Sequence, residues 1–212
     1  MISIPHHIRL LILNQYQFLS SMMKKFTLLH HKWIEEQERD AQVIANIESN
    51  GDNEVFHSVY QSEISKLDGC YDEEQLFHEA MFIMVYSYYE SILMRIAKEE
   101  KLQSSRPSDI ARKHGNALER QYEDISTYFY NTIRPLRNQL CHNNNGTLFE
   151  RSYDNKEDEE KNILKLVERN RIEIVDGRIY IKDSLFIQET LDKAYKLLIK
   201  LADICGYKIL HV

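Results

Sequence analysis

The sequence predicts an all-α protein carrying one β-hairpin. Only six Gly and three Pro interrupt 212 residues, so few breaks separate the elements and long helices are favoured. Through most of the chain, apolar residues recur at spacings of three and four, the signature of one helix face. A single stretch differs. Arg171-Ile172-Glu173-Ile174-Val175 and Arg178-Ile179-Tyr180-Ile181 flank Asp176-Gly177, which is the pattern of two strands around a two-residue type I′ turn.

The first helical pattern runs from Ile8 to about Ser49 and closes at Ser49-Asn50-Gly51-Asp52-Asn53, a cluster of turn formers. A second runs from Glu54 to Leu67 and stops at Asp68-Gly69. Asp72, with Gln75 three residues on, resembles a capping box and opens a helix reaching about Lys101. Within it Phe77, Ala80, Met81, Phe82, Ile83, Met84 and Val85 leave almost no polar face, so this is the central buried helix. Residues 102–117 hold Pro107, Gly115 and the basic run Arg112-Lys113-His114. They read as a connector with a helical turn.

The clearest stripe follows: Leu118, Tyr122, Ile125, Phe129, Ile133, Leu136 and Leu140. Pro135 lies inside it. Proline lacks the N–H and its ring meets a carbonyl one turn back, so the helix should kink, or a new one begin, near Arg134. Asn143-Asn144-Asn145-Gly146 ends the stripe, and Asp154 to Glu160 is a charge run suited to a solvated helix start. A last helix carries Ile187, Leu191, Ala194, Leu198, Leu201 and Cys205 on one face. The expected organisation is a helical N-terminal extension over residues 1–68, then a helical domain over 69–212 with its hairpin at about 171–182.

Composition narrows the function. The net charge of −6 does not favour a protein that coats nucleic acid, because such coating relies on broad phosphate neutralisation. It allows a small basic cleft on an acidic body, where RNA binding would be local and salt-sensitive. The apolar run from Met81 to Met94 is too short to span a bilayer, so no membrane role is expected. Met1 to His7 has no basic region leading into an apolar core, which predicts no secretory signal. Three cysteines without CxxC spacing predict a reducing, cytoplasmic setting. The sequon Asn145-Gly146-Thr147 then means only a turn. His6-His7 and His30-His31 lack the one-turn spacing of helical zinc ligands, so neither a metal nor a cofactor is expected.

The most informative stretch is Arg137-Asn138-Gln139-Leu140-Cys141-His142. An Arg stays charged at all working pH and can hold a phosphate, while a His titrates near neutrality and can move a proton. Phosphodiester chemistry needs both. The bare spacing is weak, but the pair ends the most periodic helix and abuts a polar turn, where functional residues concentrate. Asn138 can donate to a phosphate or hold a neighbour. Arg134 is a candidate substrate contact, as are Arg120 and Arg112-Lys113-His114, although charged loops are commonly just solvated. Glu90, in the apolar helix beside Tyr86, Tyr88 and Tyr89, either pairs with a cleft cation such as Arg137 or faces solvent at a helix edge. Cys141 is a small core residue rather than a nucleophile, since adjacent helical positions do not face each other. The tyrosines read as packing.

With Arg137, Asn138 and His142 closing a helix that follows a long apolar helix with an embedded Glu, the sequence resembles the HEPN superfamily (higher eukaryote and prokaryote nucleotide-binding). Its motif is Arg, four to six residues, then His, often with a polar residue directly after the Arg. The resemblance covers roughly Asp72 to Gly206. It implies an up-and-down helical bundle with the hairpin as an insertion. It also implies a metal-independent endoribonuclease acting as a homodimer, with two motifs facing across a composite cleft. In that scheme His142 exchanges protons with the ribose 2′-hydroxyl or the leaving 5′-oxygen. Arg137, supported by Asn138, clamps the scissile phosphate, and the product is a 2′,3′-cyclic phosphate. DNA, lacking the 2′-hydroxyl, is spared.

At about 100° per residue, positions 137 and 142 lie roughly 140° apart on an ideal helix. Either the helix distorts or a second protomer completes the site. Family members controlled by a nucleotidyltransferase often carry a Tyr two residues after the His, whereas this chain has Asn144. The expected role is an RNA-cleaving toxin or defence effector restrained by a separate antitoxin or regulatory protein. The alternatives are a non-catalytic RNA- or nucleotide-binding or dimerisation module, or a structural partner that uses its acidic N-terminal helices as a contact surface.

Overall fold

The computed structural model describes residues 4–66, 68–142, 156–175 and 177–207. It is all-α with one β-hairpin. The helices are α1 (Ile4–Ser49), α2 (Asn53–Ser65), α3 (Asp68–Glu99), α4 (Pro107–Lys113), α5 (Arg120–Tyr128), α6 (Arg134–His142), α7 (Lys156–Glu168) and α8 (Ser184–Ile204). A π turn, Phe129–Ile133, joins α5 to α6, and strands β1 (Ile172–Val175) and β2 (Arg178–Ile181) lie between α7 and α8. No described helix is long and apolar enough to cross a membrane.

Helix α3 is the hub, packed against α1, α6, α8 and β2. Met81, Phe82, Val85, Ile92 and Ile96 are fully buried on it. The Phe82 ring stacks on Phe186 of α8 at 5.6 Å. The stripe expected on the last helix holds: Ile187, Leu191, Ala194, Leu198 and Leu201 are completely buried. Asp183 caps that helix by accepting from the Phe186 N–H at 2.9 Å, which satisfies one of the N–H groups a helix start leaves open. The strands pair antiparallel with Val175 opposite Arg178. This is the register of a two-residue turn, and Gly177 takes φ +78°, a conformation that glycine adopts freely. Asp176 lies outside the described residues.

The packing does not divide at residue 68. Ile8, Ile12, Leu19 and Met23 of α1 belong to the same core as α3 and α8. The Tyr88 hydroxyl donates to the Ile12 carbonyl, and the Tyr16 hydroxyl donates to Asp192. Beyond Met23 the helix still meets α3, where Phe26 stacks on Phe77 at 3.4 Å, and its last third pairs with α2. Ala41, Ala45 and Ser49 are its buried residues there, and α2 buries none. The arm is therefore a thin two-helix hairpin. Asp52 caps α2 by accepting from the N–H groups of Glu54 and Val55.

The boundary near Asp68 differs from the sequence reading. Asp68-Gly69 is the start of α3 rather than a stop. Asp72 consequently falls inside the helix and does not cap it. At Pro135 a new helix begins at Arg134, as the sequence predicts, and the chain makes a π turn before it. Without a proline N–H, the ladder shifts by one residue and the Arg134 N–H bonds the Phe129 carbonyl. The Asn131 carbonyl, deprived of its usual donor, accepts from the Asn162 amide of α7 at 3.3 Å. The apolar stripe survives: Phe129, Ile133 and Leu136 are buried, with Tyr122, Ile125 and Leu140 packed at the margin.

Candidate active site

Helix α6 carries the expected site and lies against α3. Arg134 and Arg137, three residues apart, share one face of it. The Arg137 guanidinium sits over the Tyr86 ring, 5.4 Å from its centroid, and this cation–π contact fixes its plane. Its Nη1 donates to Asn138 Oδ1 at 3.1 Å. Its Nε is buried and has no hydrogen-bond partner among the described residues. A buried donor on a permanent cation is costly to leave unpaired, so this guanidinium has capacity for an anion.

Of the two readings of Glu90, a cleft-cation partner or a solvent-facing edge position, the structure shows a half-buried carboxylate with no ion pair to Arg137 among the described residues. Glu90 instead accepts a long hydrogen bond, 3.4 Å, from the Tyr86 hydroxyl, so it touches the site through the ring beneath Arg137. Burial pushes the Tyr86 hydroxyl up to about 12, helped by the negative charge of Glu90 and opposed by Arg134 and Arg137. Tyr86 thus remains a neutral donor at any working pH. The opposing effect of both arginines places Arg134 and Arg137 in one electrostatic neighbourhood. Tyr88 and Tyr89 are buried, in keeping with packing.

His142 is the last residue of α6, and its side chain lies outside the described residues, as do Asn143 to Asn155. The backbone from Arg134 to His142 is α-helical throughout, and the π turn lies upstream of both motif residues. Distortion between Arg137 and His142 is therefore not the way the two would converge. Cys141 is half-buried and free.

The other candidate cations lie apart from α6, and three of them are paired. Arg112 pairs with Asp109 at 3.4 Å, Lys113 and His114 each reach Glu100 Oε2 at 3.0 Å, and Arg120 is exposed at the start of α5. Two residues, Arg106 and Tyr130, escaped the sequence reading. Arg106 and Arg134 place their guanidiniums 5.8 and 5.4 Å from the centroid of Tyr130. Tyr130 sits one turn before Arg134 and off the apolar stripe, and that spacing was the signal for at least this pair.

Among the described residues, Glu100, His114 and Cys205 each bring one ligand atom within 4.8 Å of the others. Their surroundings do not favour a metal ion. The Lys113 ammonium lies on the same carboxylate, the Tyr207 hydroxyl donates to its other oxygen at 2.7 Å, and burial pushes the Cys205 thiol up to about 12. The group ties α4 and the end of α8 to the end of α3. Burial by itself would raise the Glu100 pKa, but Tyr207, Lys113 and His114 outweigh it and hold the carboxyl below its ordinary value of 4.5. A depressed folded-state pKa contributes stability above the ordinary carboxylate range, which is lost as pH falls through the folded value. Glu100→Gln should therefore lower stability at neutral pH and flatten the fall on acidification. Urea unfolding at neutral pH and at about pH 4 checks this, and an unchanged pH dependence in the variant contradicts it.

No family model matches this chain, and no characterised protein or solved structure matches it either.

Proposed function

We propose that this protein is a metal-independent endoribonuclease of the HEPN type, working as a homodimer with a composite site. The observation that carries this reading is Arg137. Its guanidinium is held by Tyr86 and Asn138, and its buried Nε has no acceptor among the described residues. Arg134 stands one turn away on the same helix. A phosphate would complete that arrangement, and His142 ends the same helix.

In this mechanism His142 takes the proton of the ribose 2′-hydroxyl, or returns one to the leaving 5′-oxygen. The 2′-oxygen attacks the phosphorus, the bond to the 5′-oxygen breaks, and a 2′,3′-cyclic phosphate remains. Arg137 stabilises the charge that builds on the phosphoryl oxygens, Asn138 steadies Arg137, and Arg134 takes a substrate phosphate. Glu90 acts on the site through Tyr86. The regular backbone of α6 favours a second protomer as the source of the matching His. Cellular RNA is the proposed target, in a toxin or defence setting within the cytoplasm. A restraining protein would meet the α1–α2 arm, which exposes Leu28, Leu29, Val43 and Ile47.

The test is incubation of the purified chain with mixed RNA in the presence of a chelator, followed by analysis of the product ends. Cyclic-phosphate ends, and no cut in DNA of the same sequence, are expected. No cleavage, or cleavage that persists in His142→Ala, refutes the proposal and leaves a binding or dimerisation module.

A further inference from the structure

Tyr130 is the aromatic residue near this site that core packing does not account for. The residue is 55% exposed, on the π turn that Pro135 imposes. Two guanidiniums approach it from different parts of the chain, Arg106 at the entry to α4 and Arg134 at the start of α6. Neither has a carboxylate partner among the described residues. Two like charges gathered at one solvent-facing ring repel each other, and the weak cation–π attraction of exposed sites only partly offsets this. An anion shared by the two relieves it. Beyond Arg134 the same helix face carries Arg137, whose guanidinium lies over the buried Tyr86 ring, so a second cation site adjoins the exposed Tyr130 ring. Interleaved cations and aromatic faces suit a single strand: the cations follow the phosphates and the rings stack unpaired bases.

We propose that Arg106, Tyr130 and Arg134 form a nucleotide subsite for single-stranded RNA beside the Arg137 phosphate site. Tyr130 stacks one base, while the two guanidiniums hold the phosphate that links it to the nucleotide being cut. The choice of RNA rests on the ribonuclease reading above. The subsite itself rests on the ring and its two unpaired cations. A duplex, whose bases are already stacked, cannot offer a free base face, so the subsite selects unpaired segments.

The test measures fluorescence anisotropy of a short labelled oligouridylate on the full chain carrying His142→Ala, to prevent turnover. Adding Tyr130→Ala should weaken binding about ten-fold or more, in line with the loss of one stacked base. Tyr130→Phe should retain most of the affinity. Arg106→Ala should weaken binding and reduce its salt dependence by about 0.7 in log–log slope. The exposure of Tyr130 means its variants should melt like the parent. Equal affinity for the parent and Tyr130→Ala overturns the proposal, as does equal affinity for a duplex, or no binding by the parent. The two readings fail separately. Tyr130-dependent binding without cleavage by the wild-type chain keeps the subsite and removes the nuclease. Cleavage and binding that ignore Tyr130 keep the nuclease and remove the subsite.

Discussion

Replacing Arg137 with alanine should lower RNA cleavage by about 10³-fold while leaving the fold almost untouched. The size follows from the proposed role: one preorganised donor aimed at developing charge contributes about 10²–10³ in kcat, and in that mechanism Arg137 also positions the phosphate. The loss should fall mainly on kcat, since the charge that Arg137 meets grows in the transition state. Stability should move little because two effects oppose each other. The variant loses the contact with the Tyr86 ring, worth about 1 kcal/mol. It also removes a buried Nε that has no acceptor among the described residues. At about 2–4 °C per kcal/mol for a chain of this size, the shift in melting temperature should be a few degrees at most. Arg137→Lys should not rescue activity, because a lysine offers neither the planar stack on Tyr86 nor the forked donor pair. Wild-type turnover in Arg137→Ala rejects the assignment. Lost activity accompanied by unfolding would mark Arg137 as a structural residue.

The fold was largely legible from periodicity because burial imposed it. The stripe from Tyr122 to Leu140 and the face from Ile187 to Leu201 point inward as their spacing requires, and Asp176-Gly177 marked the hairpin. The boundary near Asp68 was less readable, because Asp and Gly serve a helix start as well as a stop. That α1 would serve two environments could not be read from its pattern. Its first half joins the core and its last third joins α2, and both present apolar residues at helical spacing. At the site, Arg137 and Asn138 were legible as a local motif. The platform beneath Arg137 was not, since Tyr86 lies on another helix and Glu90 reaches the arginine only through it. Arg106 was invisible for a similar reason: only the π turn and the α4 entry bring it to Tyr130.

Mixing two inactive chains should restore activity. Positions 137 and 142 lie about 140° apart on a regular helix, and α6 is regular between them. In the proposed dimer a working Arg–His pair therefore draws its members from different protomers. Arg137→Ala homodimers lack every Arg and His142→Ala homodimers lack every His, so each preparation is dead. A mixed dimer holds one normal Arg on one protomer and one normal His on the other, which are the two members of a single complete pair across the cleft. With random exchange about half the dimers are mixed, and each carries one of two pairs, so roughly a quarter of wild-type activity should return in a symmetric dimer. The recovery should grow with the time allowed for subunit exchange and vanish when each variant is crosslinked to itself beforehand. If each chain used its own Arg and His, neither pair in the mixed dimer would be complete and the mixture would remain inactive. A monomer would give the same silence, and sedimentation of the wild-type chain separates the two.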